Sequence, residues 1–295
     1  MESQMLKRGL LIVLLNPVLL LALDLGQPET LQQFLSEVAE NEKKNRLREM
    51  CYLYELRHCE ITLDQDGREK KRKSSTYEVI PLMDGVYRKL IKRNGKLLSK
   101  VEARKQQKKA DSRLDKGKHF SAVAQSKLVL KRSERQRKEV QFWDEVIGAF
   151  HFRYLGLETY GGRNVAMLEL LPHEGYKPSE KEFRILTKLK GRVWVDIRDL
   201  QITEVKLEFI KAFKIGMGIV VKVNKGASLW IQQRKVQDTA WFPRRFELNL
   251  SGRVFLLKRF NRRVIGDFTN YRRYKTRVRL LPANRDSTPK VRRQN

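Results

Sequence analysis

Cysteine is scarce in this chain, with only Cys51 and Cys59 among 295 residues. Two cysteines cannot build the disulfide framework of a small secreted scaffold, and their spacing is not the C-x-x-C of a zinc or redox site. Within one extended strand their separation would be roughly 25 Å, so they are not expected to bridge each other. The common catalytic signatures are missing too. His58, His119, His151 and His173 stand apart without H-E-x-x-H spacing, no G-x-S-x-G elbow occurs, and Gly216-Met217-Gly218 lacks the third glycine of a nucleotide loop. That glycine pair reads as a strand bend or bulge. Neither a metal, a cofactor nor an enzymatic activity is expected.

The N-terminus differs from the rest. Met5-Leu6-Lys7-Arg8 forms a basic start, and Gly9 to Leu23 follows without a charge. This run is short of the ~20 residues that span a bilayer and is interrupted by Pro17. It reads as a signal peptide over residues 1–26. Small residues are absent from the cleavage positions, so retention as an uncleaved N-terminal anchor stays open. Either route places the protein in the periplasm or cell envelope.

Acidic residues are the scarcer charge, and the net charge is +29. Residues 84–140 and 244–295 each carry a net +13, which together make up 26 of the 29. Blocks of this kind attract polyanions, and for an exported chain the anionic membrane surface is the expected partner rather than nucleic acid. Lys105, Lys108, Lys109, Lys131, Arg132, Arg272 and Arg273 are the candidate contacts. A solvated helix face and a frayed tail would explain the same charges, and the run "FTNYRRYKTRVR" superficially fits a nucleic-acid surface.

Pattern along the chain divides it into one leading helix, a set of strands and a helical insertion. Pro28 followed by Leu31, Phe34, Leu35 and Val38 has the i, i+3, i+4, i+7 spacing of an amphipathic helix with proline in its first turn. Strands follow from Tyr52 to Leu63 and from Ser74 to Pro81 around Asp66-Gly67, and Asn94-Gly95 marks a second hairpin. Ser99 to Glu102 has capping-box spacing and opens a basic helix that Gly117 should end. A second helical stretch runs from Phe120 to Phe150. Hairpins return with Phe150 to Thr159, Gly161-Gly162 and Asn164 to Leu171. A second capping box at Ser179 opens a short helix expected to end at Gly191.

The stretch "GRVWVDIRDLQITEVKLEF" then places Asp196 and Asp199 three residues apart. Two carboxylates can act as an acid/base pair when aimed at one substrate across ~5 to 9 Å with their pKa values split. Ile197 to Leu200 is also a turn sequence in which aspartate bonds nearby backbone, and Arg198 lies beside both carboxylates. The corner reading is preferred. Val205, Leu207 and Phe209 alternate with Glu204, Lys206 and Glu208, a strand with a dry and a wet face. After Asn224-Lys225-Gly226, Ser228 to Val236 forms a strand, Phe246 to Leu250 another, and Ser251-Gly252 is expected to turn the chain into Val254 to Phe260. A last strand covers Phe268 to Thr276, and residues 282–295 are expected to be a disordered basic tail.

On "FHFRYLGLETYGGRNVAMLELLP", "GYKPSEKEFRILTKLKGRVWVDIRDLQITEVKL", "NKGASLWIQQRKV", "TAWFPRRFELNLSGRVFLLKRF" and "YRRY", residues 141–276 resemble the periplasmic outer-membrane lipoprotein-sorting proteins, relatives of the lipoprotein-localization carriers. The resemblance implies an α+β fold: a curved, incompletely closed antiparallel half-barrel over residues 27–281 with helices on its concave face. The basic helical stretch at 84–140 is an insertion relative to that pattern. It also implies lipid or acylated lipoprotein as cargo, held in an apolar groove. The inward-facing candidates are Val205, Leu207, Phe209, Ile219, Val221, Val223, Phe246, Leu248 and Leu250, any of which could equally be ordinary core.

Overall fold

The computed structural model describes residues 24–82, 85–116, 122–215, 221–237, 240–254 and 258–274. In chain order the elements are α1 (Pro28–Glu49), β1 (Tyr52–Leu63), β2 (Glu69–Leu82), β3 (Gly85–Arg93), β4 (Lys96–Leu97), α2 (Lys100–Lys116) and α3 (Ala122–Ala149). They continue with β5 (Phe150–Tyr160), β6 (Arg163–Pro172), a 3-10 helix (Lys181–Lys188), β7 (Leu189–Asp196), β8 (Gln201–Phe209), β9 (Phe213–Ile215) and β10 (Val221–Val223). The last three are β11 (Ser228–Val236), β12 (Ala240–Val254) and β13 (Lys258–Arg273).

All thirteen strands join one antiparallel sheet in the order β4-β3-β2-β1-β13-β12-β11-β8-β7-β6-β5, with β10 on the far end of β12 and β9 beside it. Strands β4 and β5 do not meet, so the sheet is a curved, open half-barrel with helices added, an α+β fold. Register shifts interrupt six of the strand pairings, at Leu53/Glu55, Thr62/Leu63, Thr76/Tyr77, Tyr154/Gly156, Trp194/Val195 and Gln232/Gln233. Each bulge bends its strand and sharpens the local twist, which is how so wide a sheet curls instead of lying flat. The helical insertion leaves the sheet at one edge, β4, and returns at the other, β5.

Turn chemistry acts as read from sequence. Asn94-Gly95 and Gly161-Gly162 both take two successive positive φ angles, 50° and 80°, then 56° and 76°. These are the angles of a type I′ hairpin turn, which glycine and asparagine tolerate. At Ser99 the side chain accepts the Glu102 N–H at 3.2 Å and the Glu102 carboxylate accepts the Ser99 N–H at 3.4 Å, a reciprocal cap that starts α2.

Four expectations are corrected. Ser251-Gly252 makes no turn: β12 runs through it to Val254, because Gly252 is where Lys222 of β10 comes close, and a Cβ there would lie 2.1 Å from the Lys222 carbonyl oxygen. Gly191 ends no helix, since the 3-10 helix stops at Lys188 and Gly191 lies inside β7, where a Cβ would meet the Lys206 carbonyl at 2.0 Å. Glu180, which precedes that helix, has no side-chain cap. The last strand begins ten residues earlier than expected, at Lys258, and the expectations for Gly117, Gly216 to Gly218 and residues 275–295 fall outside the described residues.

The main core lies between the helices and the β5–β8 side of the sheet. Phe34, Leu35 and Val38 of α1 pack with Leu168, Leu170, Val193, Val195, Ile202 and Phe209, joined by Phe183 and Leu186 of the 3-10 helix and by Trp143 and Val146 of α3. A second, smaller cluster of Tyr52, Ala240, Phe242 and Tyr271 forms where β1, β12 and β13 meet.

Candidate functional site on the concave face

Asp196 and Asp199 form a corner held by charge. Asp196 is fully buried, its carboxylate accepts the N–H groups of Arg198 and Asp199 at 3.0 and 2.7 Å, and Arg163 of β6 grips both of its oxygens. Arg163 also donates to Asp199 at 2.8 Å, as does Lys235 at 2.8 Å, and Trp241 Nε1 donates to it at 3.0 Å. The arginine that serves the pair is Arg163, while the Arg198 side chain is exposed. Burial would raise the Asp199 pKa, but the bonds from Lys235 and Trp241 and the charge of Arg163 outweigh it and hold the carboxyl below its ordinary value. Both oxygens of Asp196 and Oδ2 of Asp199 thus accept structural donors, which is how the pair holds the corner.

Helix α1 is fastened across the neighbouring gap in the sheet. Strands β8 and β11 pair only over Glu204–Glu208 and Ser228–Gln232, and the start of β8 separates beyond that point. The backbone N–H of Ile202 is there met by the Glu42 carboxylate at 2.8 Å. One turn on, the Asn45 amide bonds both the carbonyl and the N–H of Trp241 on β12. Burial pushes the Glu42 carboxyl up to about 7, against the opposing pull of its bonds to Ile202 and Gln233. Neither residue was singled out from sequence. The signal was present, because Glu42 and Asn45 continue the buried face of Phe34, Leu35 and Val38 at helical spacing.

Register shows which apolar residues share the concave face. One row runs Leu170, Gly191, Leu207, Leu229, Leu248 and Val264, and the next runs Leu168, Val193, Val205, Ile231, Phe246 and Gly266. Residues directly opposite one another point to the same side of a sheet, so each row lies on one face. At the β6–β8 end both rows are packed into the main core. Past β8 neither packed cluster of the described residues covers them: Leu229, Ile231, Phe246, Leu248 and Val264 are half-buried and belong to neither. The Phe246 ring lies over Gly266, where a Cβ would sit 2.1 Å from its Cε1.

The candidate groove residues therefore fall in three groups. Phe209 and Val223 are buried in the main core, and Val205, Leu207, Val221 and Leu250 are half-buried against it. Phe246 and Leu248 lie on the uncovered part of the rows, and Ile219 lies outside the described residues. Leu229, Ile231 and Val264 complete the uncovered part and were not named from sequence, although the alternation in "SLWIQQRKV" carries the first two.

Of the candidate polyanion contacts, Lys105, Lys108 and Lys109 are exposed along α2, and Lys131 is exposed on α3. The Arg132 side chain lies outside the described residues. Arg272 is paired with Glu78 at 3.4 Å, and Arg273 is exposed at the end of β13. No helix among the described residues is long and apolar enough to cross a membrane.

No protein-family model matches the chain, and no curated protein matches its sequence. Among solved structures it is similar to a domain described as an outer membrane lipoprotein-sorting protein from Vibrio parahaemolyticus, at 12% identity and a TM-score of 0.34, over 81% of this chain and 92% of that one. It is also similar to a LolA superfamily protein from Nitrosomonas europaea, at 9% identity and a TM-score of 0.33, over 82% of this chain and 94% of that one. A DUF1329 family protein from Desulfovibrio piger is similar at 12% identity and a TM-score of 0.30, over 81% and 92% of the two chains.

Proposed function

We propose that this is an exported, non-catalytic envelope protein that binds a lipid, or the acyl group of a lipoprotein, in a carrier-like manner on the concave face. The observation that carries this reading is the pair of register-matched apolar rows whose β11–β13 segments, Leu229, Ile231, Phe246, Leu248 and Val264, lie outside both packed clusters. An acyl chain laid along them gains about 0.8 kcal/mol for each methylene it buries. The resemblance of residues 141–276 to lipoprotein-sorting proteins implies the same class of cargo. The reading is tested by organic extraction of the purified protein followed by mass spectrometry, and by uptake of a fluorescent fatty acid. Retained lipid and saturable uptake, weakened by Ile231→Glu with Leu248→Glu in a variant that keeps its circular dichroism, are the expected results. A wild-type protein that carries no lipid and takes up no fatty acid would refute it.

A second reading is favoured by the exposed cations of α2 and α3. Here the chain adheres to an anionic membrane surface, whether or not it carries cargo, with about 1 kcal/mol from each Lys or Arg held near the surface.

A further inference from the structure

A cleft of about 700 Å³ opens between α2 and β3. Lys89 of β3 donates to Gln107 at 3.1 Å and Arg93 to Glu102 at 3.1 Å, which fixes the helix along the strand. The cleft is lined by Tyr87 and by Arg104, Lys105, Lys108, Lys109 and Arg113, and no carboxylate among the described residues lines it. Three nearby acids are engaged elsewhere: Glu102 with Arg93 and Ser99, Glu78 with Lys89 and Arg272, and Asp111 with Gln107. Arg104, Lys105, Lys108 and Lys109 make no ion pair with any described residue. Arg104 and Lys108, Lys105 and Lys109, and Lys109 and Arg113 are spaced i, i+4, the separation at which like charges on a helix repel. The fold thus concentrates cations around a concave space, four of them, Arg104, Lys105, Lys108 and Lys109, without an ion pair to any described residue.

We infer that this cleft is a binding site for phosphate-bearing headgroups of anionic phospholipid. The inference deepens the membrane-adhesion reading by giving it a site, and it does not depend on cargo in the concave face. Phosphate is the chemistry that several convergent Lys and Arg donors match. A membrane is the source because an exposed apolar side chain lies among the cations: Val101, which also lines the cleft, is 78% exposed. Cations beside an exposed aliphatic side chain suit the boundary between headgroups and acyl chains, whereas a nucleic-acid strand would call for successive aromatic platforms, and Tyr87 is a single aromatic ring in the described lining.

The test is cosedimentation of the full chain with phosphatidylcholine vesicles, with and without one third phosphatidylglycerol. It compares wild type, Lys105→Ala with Lys108→Ala, and the control Lys177→Ala with Arg184→Ala, which removes the same charge from exposed positions outside the cleft. The wild type is expected to bind only the anionic vesicles, the cleft variant about thirtyfold more weakly, and the control like the wild type; thirtyfold is what two cations at about 1 kcal/mol each convert to. Equal losses in both variants would reduce the attraction to net charge and overturn the cleft site while leaving adhesion standing. Wild-type binding unchanged in the cleft variant would do the same. No wild-type binding to anionic vesicles would overturn both. Saturable binding of inorganic phosphate, lost in the cleft variant and without vesicle binding, would assign the cleft to a free anion and overturn the headgroup source.

Discussion

Replacing Glu42 with glutamine isolates the fastening of α1. The wild-type carboxyl is 6% exposed and accepts the Ile202 N–H, and burial raises its pKa from 4.5 to about 7. The amide of glutamine keeps an acceptor for that N–H and cannot ionise. Below about pH 4.5 the group is neutral in both folded and unfolded chains and costs nothing. Between 4.5 and about 7 the folded chain binds the extra proton, so rising pH favours unfolding, and above about 7 the loss is complete. A shift of about 2.5 units at 1.36 kcal/mol each makes the full loss about 3 kcal/mol, most of it developing between pH 5 and 8. The variant escapes this loss. In thermal unfolding followed by circular dichroism, the gap in Tm between Glu42→Gln and wild type should widen by roughly 5–10 °C from pH 5 to pH 8, at 2–4 °C per kcal/mol. A gap that is the same at both pH values would show that Glu42 does not titrate in this range, and a variant less stable than wild type at pH 8 would show that its charge is needed.

Arg163→Met should destabilise by about 2–3 kcal/mol in urea, because it leaves the buried Asp196 carboxylate without its cation, with the partial exposure of Arg163 moderating the loss. Asp199→Asn should flatten the acid side of the stability profile: a carboxyl held below its ordinary pKa stabilises above that value and loses the contribution as pH falls through the folded one, so the variant should vary less below about pH 4. Gly191→Ala should cost more than about 2 kcal/mol, because its Cβ meets a backbone carbonyl that cannot swing aside as a side chain would. Ser99→Ala should loosen α2 by about 1 kcal/mol, visible as faster hydrogen exchange in its first turn with little change in global unfolding.

Local rules were legible in sequence wherever a few adjacent residues decide the outcome. The proline start and apolar face of α1, the Asn94-Gly95 and Gly161-Gly162 turns, the Ser99 cap and the aspartate corner all follow from short-range chemistry. The failures came where distant strands decide. Gly191 and Gly252 read as punctuation, yet each is a place where the neighbouring backbone comes too close for a side chain. Glu204 alternates as a wet-face residue but is only 7% exposed, because the register shift opposite Trp194/Val195 changes its surroundings and its carboxylate holds Lys206 at 2.8 Å. Arg163, 33 residues before Asp196, became its partner through strand pairing that no local pattern encodes. The apolar rows were half legible: alternation gives the parity of each strand, while which parts of a row the helices cover depends on where α1 crosses the sheet.

The position of α1 is what joins the two halves of the concave face. Its first turns are held by apolar packing through Phe34, Leu35 and Val38, which is insensitive to pH. Its later turns are held by polar contacts: Glu42 to Ile202, Asn45 to Trp241, Lys43 to Asp144 at 3.1 Å and Arg46 to Glu139 at 3.4 Å. The later turns cross the gap between β8 and β11, next to the point where the apolar rows lose their cover. An acyl chain that extended from the uncovered rows toward β8 would therefore meet the polar half of α1 first. Ionisation of buried Glu42 weakens that half and leaves the apolar half unchanged. Raising the pH should then loosen the C-terminal turns of α1 before its N-terminal turns. Residue-resolved hydrogen exchange at pH 6 and pH 8, corrected for intrinsic rates, measures this directly, and uniform loosening along the helix would contradict the division.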